Sequence, residues 1–398
     1  MRTSHGVELA DIFRQHGPEY RSAHSLPLHY LRVMRAVEVC RTATLGGHKD
    51  KCDSCGHIEI SYNSCRNRHC PKCQILQKEK WIEARNEDLL PIQYFHVVFT
   101  IPSGLNPLVI MNQKVMYDLM FRSVSETLTE LSDNPKHLGA RIGFMSVLHT
   151  WGQNLMDHPH IHCVVTGGGL SLDGDRWVSC RKRFFIPVRV MSALFRGKFL
   201  AHMKSTFEAG EFIFPRGIGH LREAHAFEMY RRQLYHKKWV VYCKPPFDGA
   251  KGVLQYLGRY THRIAISNNR ILTADNGTVN FRWRDYADGN QQKTMTLKVD
   301  EFIRRYLLHV LPDRYVRIRH FGLLANRSRK DNITLCRELL GTSAVIEPNK
   351  EKKETWQEQL LRICGIDVTV CPVCREGTMS RVDELPPSRC HSPPDHCR

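Results

Sequence analysis

The chain has 398 residues, 42% hydrophobic and 25% charged, an ordinary balance for a globular protein of roughly two or three domains. Its 58 Lys and Arg against 40 Asp and Glu leave a formal net charge of +18. Such a surplus repels itself unless a polyanion neutralises it, so nucleic acid is the first candidate partner and an acidic membrane surface the second. No apolar stretch is long enough to span a bilayer, and Met1-Arg2-Thr3-Ser4-His5-Gly6 lacks the apolar run of a secretory signal, so a cytoplasmic location is expected.

Leu9, Ile12 and Phe13 stand at helical spacing, and the pattern resumes from Leu26 to Val39, so residues 5–40 read as helical. Residues 40–73 are dense in Cys and His, with too few large apolar residues for a core of their own. A helix is expected over 81–90. The β-rich run Tyr94-Phe95-His96-Val97-Val98-Phe99-Thr100 follows and is stopped by Pro102. A helix is then expected over about 106–131, a strand over 143–151, a polar connection over 152–159, and a strand over 160–166 ended by Gly167-Gly168-Gly169. Helices over 189–208 and 220–237, a short strand over 239–243 and a helical pattern over 249–263 come next. Residues 270–299 read as a three-stranded meander with turns at Asp275-Asn276-Gly277 and Asp288-Gly289. A basic helix near 300–311 precedes a more polar region from about 325 and a Pro/Cys/His tail. Strands joined by turns and helices of mixed length indicate an α+β fold: a central antiparallel sheet with flanking helices, preceded by a helical and zinc-binding N-terminal module.

Two short motifs carry chemistry. In Asp157-His158-Pro159-His160-Ile161-His162 the alternation of a strand puts His160 and His162 on one face, where two imidazoles can take adjacent positions on one metal ion. Taken alone, such a pair is more often a polar couple on a wet strand face. A third ligand is needed; Gln153, across the expected hairpin, is preferred over Asp157 and His158. In Tyr256-Leu257-Gly258-Arg259-Tyr260-Thr261-His262-Arg263, helical spacing presents two phenols in one direction. A phenol is a weak nucleophile at neutral pH, but a metal that polarises a phosphate lowers the barrier, and Arg259, His262 and Arg263 are placed to favour a phenolate or bind phosphate oxygens.

Fifteen cysteines, an odd number with no secretion signal, argue against a disulfide framework. Cys52-x2-Cys55 and Cys70-x2-Cys73, with 14 residues between them, have the spacing of a tetrahedral structural zinc site. Cys40, His48, Cys65 and His69 remain, enough for a second zinc, with His57 a rival ligand. Arg66, Asn67, Arg68 and Lys72 flank these positions and suit DNA phosphates. Arg304, Arg305, Arg314, Arg317, Arg319 and His320, interleaved with Tyr306 and Tyr315, suit either a single strand or a solvated face; Arg282-Trp283-Arg284 reads the same way. Cys371, Cys374, Cys390, His391, His396 and Cys397 form either a third zinc knuckle or an incidental cluster in a Pro-rich end. Cys163, Cys180, Cys243 and Cys336 read as ordinary thiols.

Cys65-Arg66-Asn67-Arg68-His69-Cys70-Pro71-Lys72-Cys73, His158-Pro159-His160-Ile161-His162 and the two-tyrosine segment, in this order over about residues 10–330, resemble the two-tyrosine transposases of the insertion sequence 91 family within the HUH endonuclease superfamily. The resemblance implies an HUH nuclease core. It implies cleavage and rejoining of single-stranded DNA at element ends and target through a 5′-phosphotyrosine, in rolling-circle fashion. His160 and His162 carry over as ligands of Mg²⁺ or Mn²⁺, and Tyr256 and Tyr260 as nucleophiles; the third ligand does not carry over. The expected organisation is a DNA-binding module with one or two zinc ions over 1–90, the nuclease over 91–325 and a tail over 326–398. A homodimer is compatible with this reading, a membrane partner is not, and the expected setting is a bacterial cytoplasm beside the nucleoid. Two alternatives use the same residues differently: a non-catalytic zinc-dependent DNA binder, for which the histidines and tyrosines are dispensable, and a hydrolase that activates water. A rolling-circle replication initiator shares the cleavage chemistry.

Overall fold

The computed structural model describes residues 6–181, 185–244, 252–253, 258, 264–286, 288–342 and 354–388. In chain order it contains α1 (Leu9–Ala23), α2 (Leu28–Glu38), β1 (Gly47–Cys52), β2 (Ile58–Tyr62), α3 (Gln74–Asn86), β3 (Tyr94–Thr100), α4 (Asn106–Met111), α5 (Gln113–Asp133), β4 (Ala140–Trp151) and β5 (Asp157–Ser171). These are followed by β6 (Trp177–Ser179), α6 (Val188–Glu208), α7 (Ala224–His236), β7 (Val240–Lys244), β8 (Ile271–Asp275), β9 (Thr278–Asp285), β10 (Gln291–Lys298), β11 (Ile318–Gly322) and β12 (Met379–Leu385). Later helices are named by their residues.

The chain divides into two compact units, one of Met1–Lys80, Ile266–Val310 and Ile346–Arg398, the other of Trp81–Ala265 and Leu311–Val345. Two returns of the chain therefore cross the consecutive segments expected from sequence.

In the first unit, α1 buries Leu9, Ile12, Phe13 and Tyr20 and α2 buries Val33, Met34 and Val37, the i, i+3/i+4 stripe that makes each helix amphipathic. Helix Val299–Leu308 closes against them, with Phe13 edge-on to Tyr306 at 5.4 Å. The meander forms as expected, in the order β10-β9-β8, with Asn276 and Gly277 both at positive φ in its first turn. A second three-stranded sheet has the order β12-β1-β2. Part of the polar tail is thus an ordered edge strand, preceded by helix Trp356–Cys364, which a Thr355/Glu358 capping box starts.

The second unit is an antiparallel sheet in the order β11-β4-β5-β3-β7, with β6 alongside β5. Phe95, Val97, Phe99, Phe144, Leu148, Ile161, Cys163 and Val165 point to one face. There they pack on α5 (Met116, Met120, Val124) and α6 (Phe195, Phe199, Met203) in the main apolar core. The helix expected over 106–131 breaks at Asn112, whose buried amide bonds to the carbonyls of Leu108 and Ile213 and accepts from the Ile213 N–H. The triple glycine does not end its strand: β5 runs through it to Ser171. The glycines serve close approach instead, since a Cβ on Gly169 would stand 2.2 Å from the Arg141 carbonyl oxygen.

Candidate active site and metal centres

Register builds the histidine site. In the β4–β5 hairpin His149 lies opposite His160 and Val147 opposite His162, while β3 places Thr100 and Val98 beside the same two histidines. All six residues share the sheet face opposite the α5/α6 core. His149, His160 and His162 each offer a ring nitrogen, all within 4.8 Å of one another; His149 and His162 are buried and His160 is half-buried. His149 also stacks on Trp151, with ring centroids 4.8 Å apart.

Hydrogen bonds select which nitrogen is presented. His160 Nδ1 donates to the His158 carbonyl at 2.6 Å, and His162 Nδ1 lies 2.8 Å from His96 Nε2. Both rings therefore present Nε2 to a metal, the arrangement in which an outer partner orients a ligand. His96 is buried, and burial, followed by the charges of Lys244 and His160, lowers its pKa to about 3. A neutral His96 ring can take either role in this bond, and a cation at His162 Nε2 requires His162 Nδ1 to donate and His96 Nε2 to accept. Three neutral imidazoles fit a divalent transition ion, a donor set in which Mn²⁺ is better served than the oxygen-seeking Mg²⁺.

Among the described His, Cys, Asp and Glu side chains, His149 is the one that joins the His160/His162 pair; the sequence pattern favours Gln153 for the third place. Gln153 lies in the hairpin turn beyond Trp151, past the rung on which His149 meets His160. The alternation His149-x-Trp151 and the presence of His96 on β3 were visible in the sequence, but only strand register ties them to His160 and His162. The two nucleophile candidates Tyr256 and Tyr260, with Arg259, His262 and Arg263, lie outside the described residues. Val253, three residues before Tyr256, is buried against Tyr94, Met145, Val147 and Val164, on the histidine face.

The cysteines regroup. Cys40, Cys65, Cys70 and Cys73 form one four-thiol cluster, and Cys52, Cys55, Cys371 and Cys374 another. The expected site of Cys52, Cys55, Cys70 and Cys73 is therefore split, and His48 and His69 stand outside both clusters. Distance explains the split: β1 is six residues long, about 20 Å when extended, and carries Cys52 to the far end of a hairpin from Cys40. His48 instead faces Asp50 at 3.3 Å, and the His69 carbonyl accepts the Tyr306 hydroxyl at 2.6 Å. In the first cluster Cys73 Sγ lies 3.5 Å from both Cys40 and Cys65. Thiols this close cannot all ionise without a cation: Cys40, Cys65 and Cys70 together hold Cys73 low, and Cys40, Cys65 and Cys73 drive Cys70 high.

Several basic and aromatic candidates turn out to be structural. Tyr306 is buried, and Tyr315 is buried with its hydroxyl on Asp118 at 3.0 Å. Arg319 pairs with Asp118 and covers Phe121, while Arg304 and Arg305 both bond to Glu301. Lys72 pairs with Glu8, and Arg66 is exposed on a loop at positive φ.

Among the described residues, one three-histidine cluster and two four-thiol clusters have the donor sets of metal sites, and the comparisons with known proteins support zinc binding by the N-terminal cysteines. Residues 12–101 match the family model described as "Transposase zinc-binding domain", and residues 143–332 the one described as "Putative transposase". The chain is 49% identical to "Putative transposase y4qJ" of Sinorhizobium fredii over 95% of each chain. It is 29% identical to the transposase for insertion sequence element IS801 of Pseudomonas savastanoi pv. phaseolicola, over 72% of this chain and 68% of that one. A metal-bound structure of the conjugative relaxase TrwC with oriT DNA overlaps 43% of this chain and 71% of that one at 13% identity and a TM-score of 0.24, too slight a likeness to carry weight. The chain belongs to the insertion sequence 91 family of transposases. It is a DNA transposase with a zinc-binding module. No helix among the described residues is long and apolar enough to cross a membrane.

Proposed function

We propose that this transposase cuts and rejoins single-stranded DNA at element ends with Tyr256 and Tyr260 as nucleophiles, beside a divalent ion held by His149, His160 and His162. The observation that carries the reading is the three-histidine cluster, whose hydrogen bonds direct two Nε2 atoms to one point. A divalent ion held by these histidines would supply neutralisation and polarisation of the scissile phosphate. His96 holds the His162 ring and its proton in place. The Tyr256 or Tyr260 oxygen, its phenol losing a proton, bonds to the scissile phosphorus; the bond from phosphorus to the 3′-oxygen breaks, the 3′-oxygen takes up a proton, and the phosphate stays on the 5′ end of the downstream strand. The phosphotyrosine ester keeps the energy of the broken bond, so attack by a 3′-hydroxyl rejoins strands without ATP. Tyr256 and Tyr260 follow Val253 by three and seven residues, within about 11 and 25 Å of chain at full extension, which supports their delivery to the histidine face.

In the same reading Cys40, Cys65, Cys70 and Cys73 hold a structural zinc ion. Arg66, Arg68, Lys72, Arg259, His262 and Arg263 bind phosphates, Lys72 by exchanging Glu8 for DNA.

The test is a single-stranded oligonucleotide bearing the element end, labelled 3′ of the cut, incubated with Mn²⁺ and run on a denaturing protein gel. The wild type should retain label on the protein, each single Tyr→Phe variant should report which phenol cuts first, and the Tyr256→Phe/Tyr260→Phe chain should retain none. Cleavage without an adduct would replace this reading with water activation. Binding without cleavage would leave a non-catalytic DNA binder.

A further inference from the structure

The second thiol cluster joins residues 316 and 322 positions apart, Cys55 with Cys371 and Cys52 with Cys374, each sulfur pair 3.7 Å apart. A tetrahedral zinc with bonds of about 2.3 Å sets its sulfurs about 3.8 Å from one another, whereas a disulfide would need about 2.05 Å. All four cysteines are free thiols.

The two Cys-x-x-Cys turns also repeat one geometry. Gly56 N–H donates to the Cys52 carbonyl at 3.2 Å, and Arg375 N–H to the Cys371 carbonyl at 3.0 Å. Gly56 and Arg375 occupy the same place after the second cysteine, and both have positive φ, +74° and +60°. A backbone N–H lies 3.4 Å from sulfur in each turn, Cys55 onto the first cysteine, Cys52, and Gly377 onto the second, Cys374. A Cβ on Gly377 would stand 2.4 Å from Cys52 Sγ, so a glycine is what lets one turn close on the other. Asp53 and Thr378 tie the turns further: Thr378 N–H donates to Asp53 Oδ1 at 2.8 Å and Asp53 N–H to the Thr378 carbonyl at 3.2 Å. From there β12 runs on as the antiparallel neighbour of β1.

We propose that Cys52, Cys55, Cys371 and Cys374 bind a zinc ion of their own, which clasps the C-terminal strand β12 onto the N-terminal hairpin. The zinc-binding family match ends at residue 101 and so contains only half of this site. The proposal stands apart from the strand-cleavage reading: it concerns neither the histidines nor the tyrosines, and its measurement involves no DNA. The β1–β12 ladder and the Asp53/Thr378 hydrogen bonds bring the two turns together, and a metal ion is what lets four thiols stand at contact distance as thiolates.

The test is the metal content of the full chain purified without chelator, measured by plasma mass spectrometry. Cys371→Ser/Cys374→Ser should carry one zinc equivalent fewer than wild type, and Cys40→Ser/Cys65→Ser should lose a different one. Unchanged zinc in Cys371→Ser/Cys374→Ser overturns the proposal, as does iron in place of zinc. If that variant loses all metal through misfolding, Cys374→His decides. After exchange into Co²⁺, a visible spectrum moved from all-thiolate toward mixed sulfur and nitrogen, or the loss of one equivalent with the remaining thiolate spectrum intact, upholds the site. An all-thiolate spectrum at full metal content overturns it.

Discussion

His96 and His162 share one hydrogen bond, and the catalytic proposal leans on it. Removing an outer partner of a metal-binding histidine typically lowers metal affinity about 10–100-fold. His96→Ala should therefore raise the Mn²⁺ concentration for half-maximal cleavage by about that factor, with a smaller change in the rate at saturating metal; an unchanged metal requirement would remove His96 from the site. A half-buried imidazole, His320, makes a pH prediction. Burial first, then the charges of Arg85 and Arg329, depresses the His320 pKa from 6.5 to about 4. The folded state keeps this ring neutral, while the unfolded chain takes up a proton below 6.5. The stability that neutrality contributes is full above about pH 6.5 and is lost as pH falls toward 4. Urea unfolding at pH 7, 5.5 and 4.5 should show wild type losing more stability on acidification than His320→Asn, and parallel losses would contradict the assignment.

At the level of elements, the β4–β5 hairpin does most to make the site, since its register alone sets His149 against His160. Its far end depends on the glycines of β5. Gly169→Ala drives a methyl into the Arg141 backbone oxygen, which cannot move without breaking the ladder. A destabilisation of about 1–3 kcal/mol is expected, in the range of overpacked cores, visible as a lower urea midpoint at unchanged slope. Wild-type stability in this variant would show that the strands part there at no cost.

Over the whole molecule, the +18 charge predicts DNA affinity dominated by counterion release. Five of the proposed contacts are Lys or Arg: Arg66, Arg68, Lys72, Arg259 and Arg263. Five phosphates on a single strand predict a log–log salt slope of about −3.5, measurable by fluorescence anisotropy across a salt series. A slope near zero would rule out phosphate contact by these residues.

Much was legible in the sequence because it is local. Alternation marked β3 and the His160/His162 pair, helical stripes marked α1, α2 and α6, and Asp-Asn-Gly marked the meander turn; each signal lies within a few residues of what it specifies. The three motifs in order pointed to the transposase family. What tertiary structure decided is pairing over distance. Which of two CxxC turns meets Cys52 and Cys55 depends on the chain returning after some 320 residues, and no spacing rule contains that return. Whether Gln153 or His149 approaches His160 depends on strand register, and whether Tyr306 and Tyr315 stack on bases or fill cores depends on what folds over them. Sequence determined the kinds of chemistry available, because side-chain identity and local period are written residue by residue. Structure decided the partners, because they are chosen by packing surfaces that the chain brings together from its two ends.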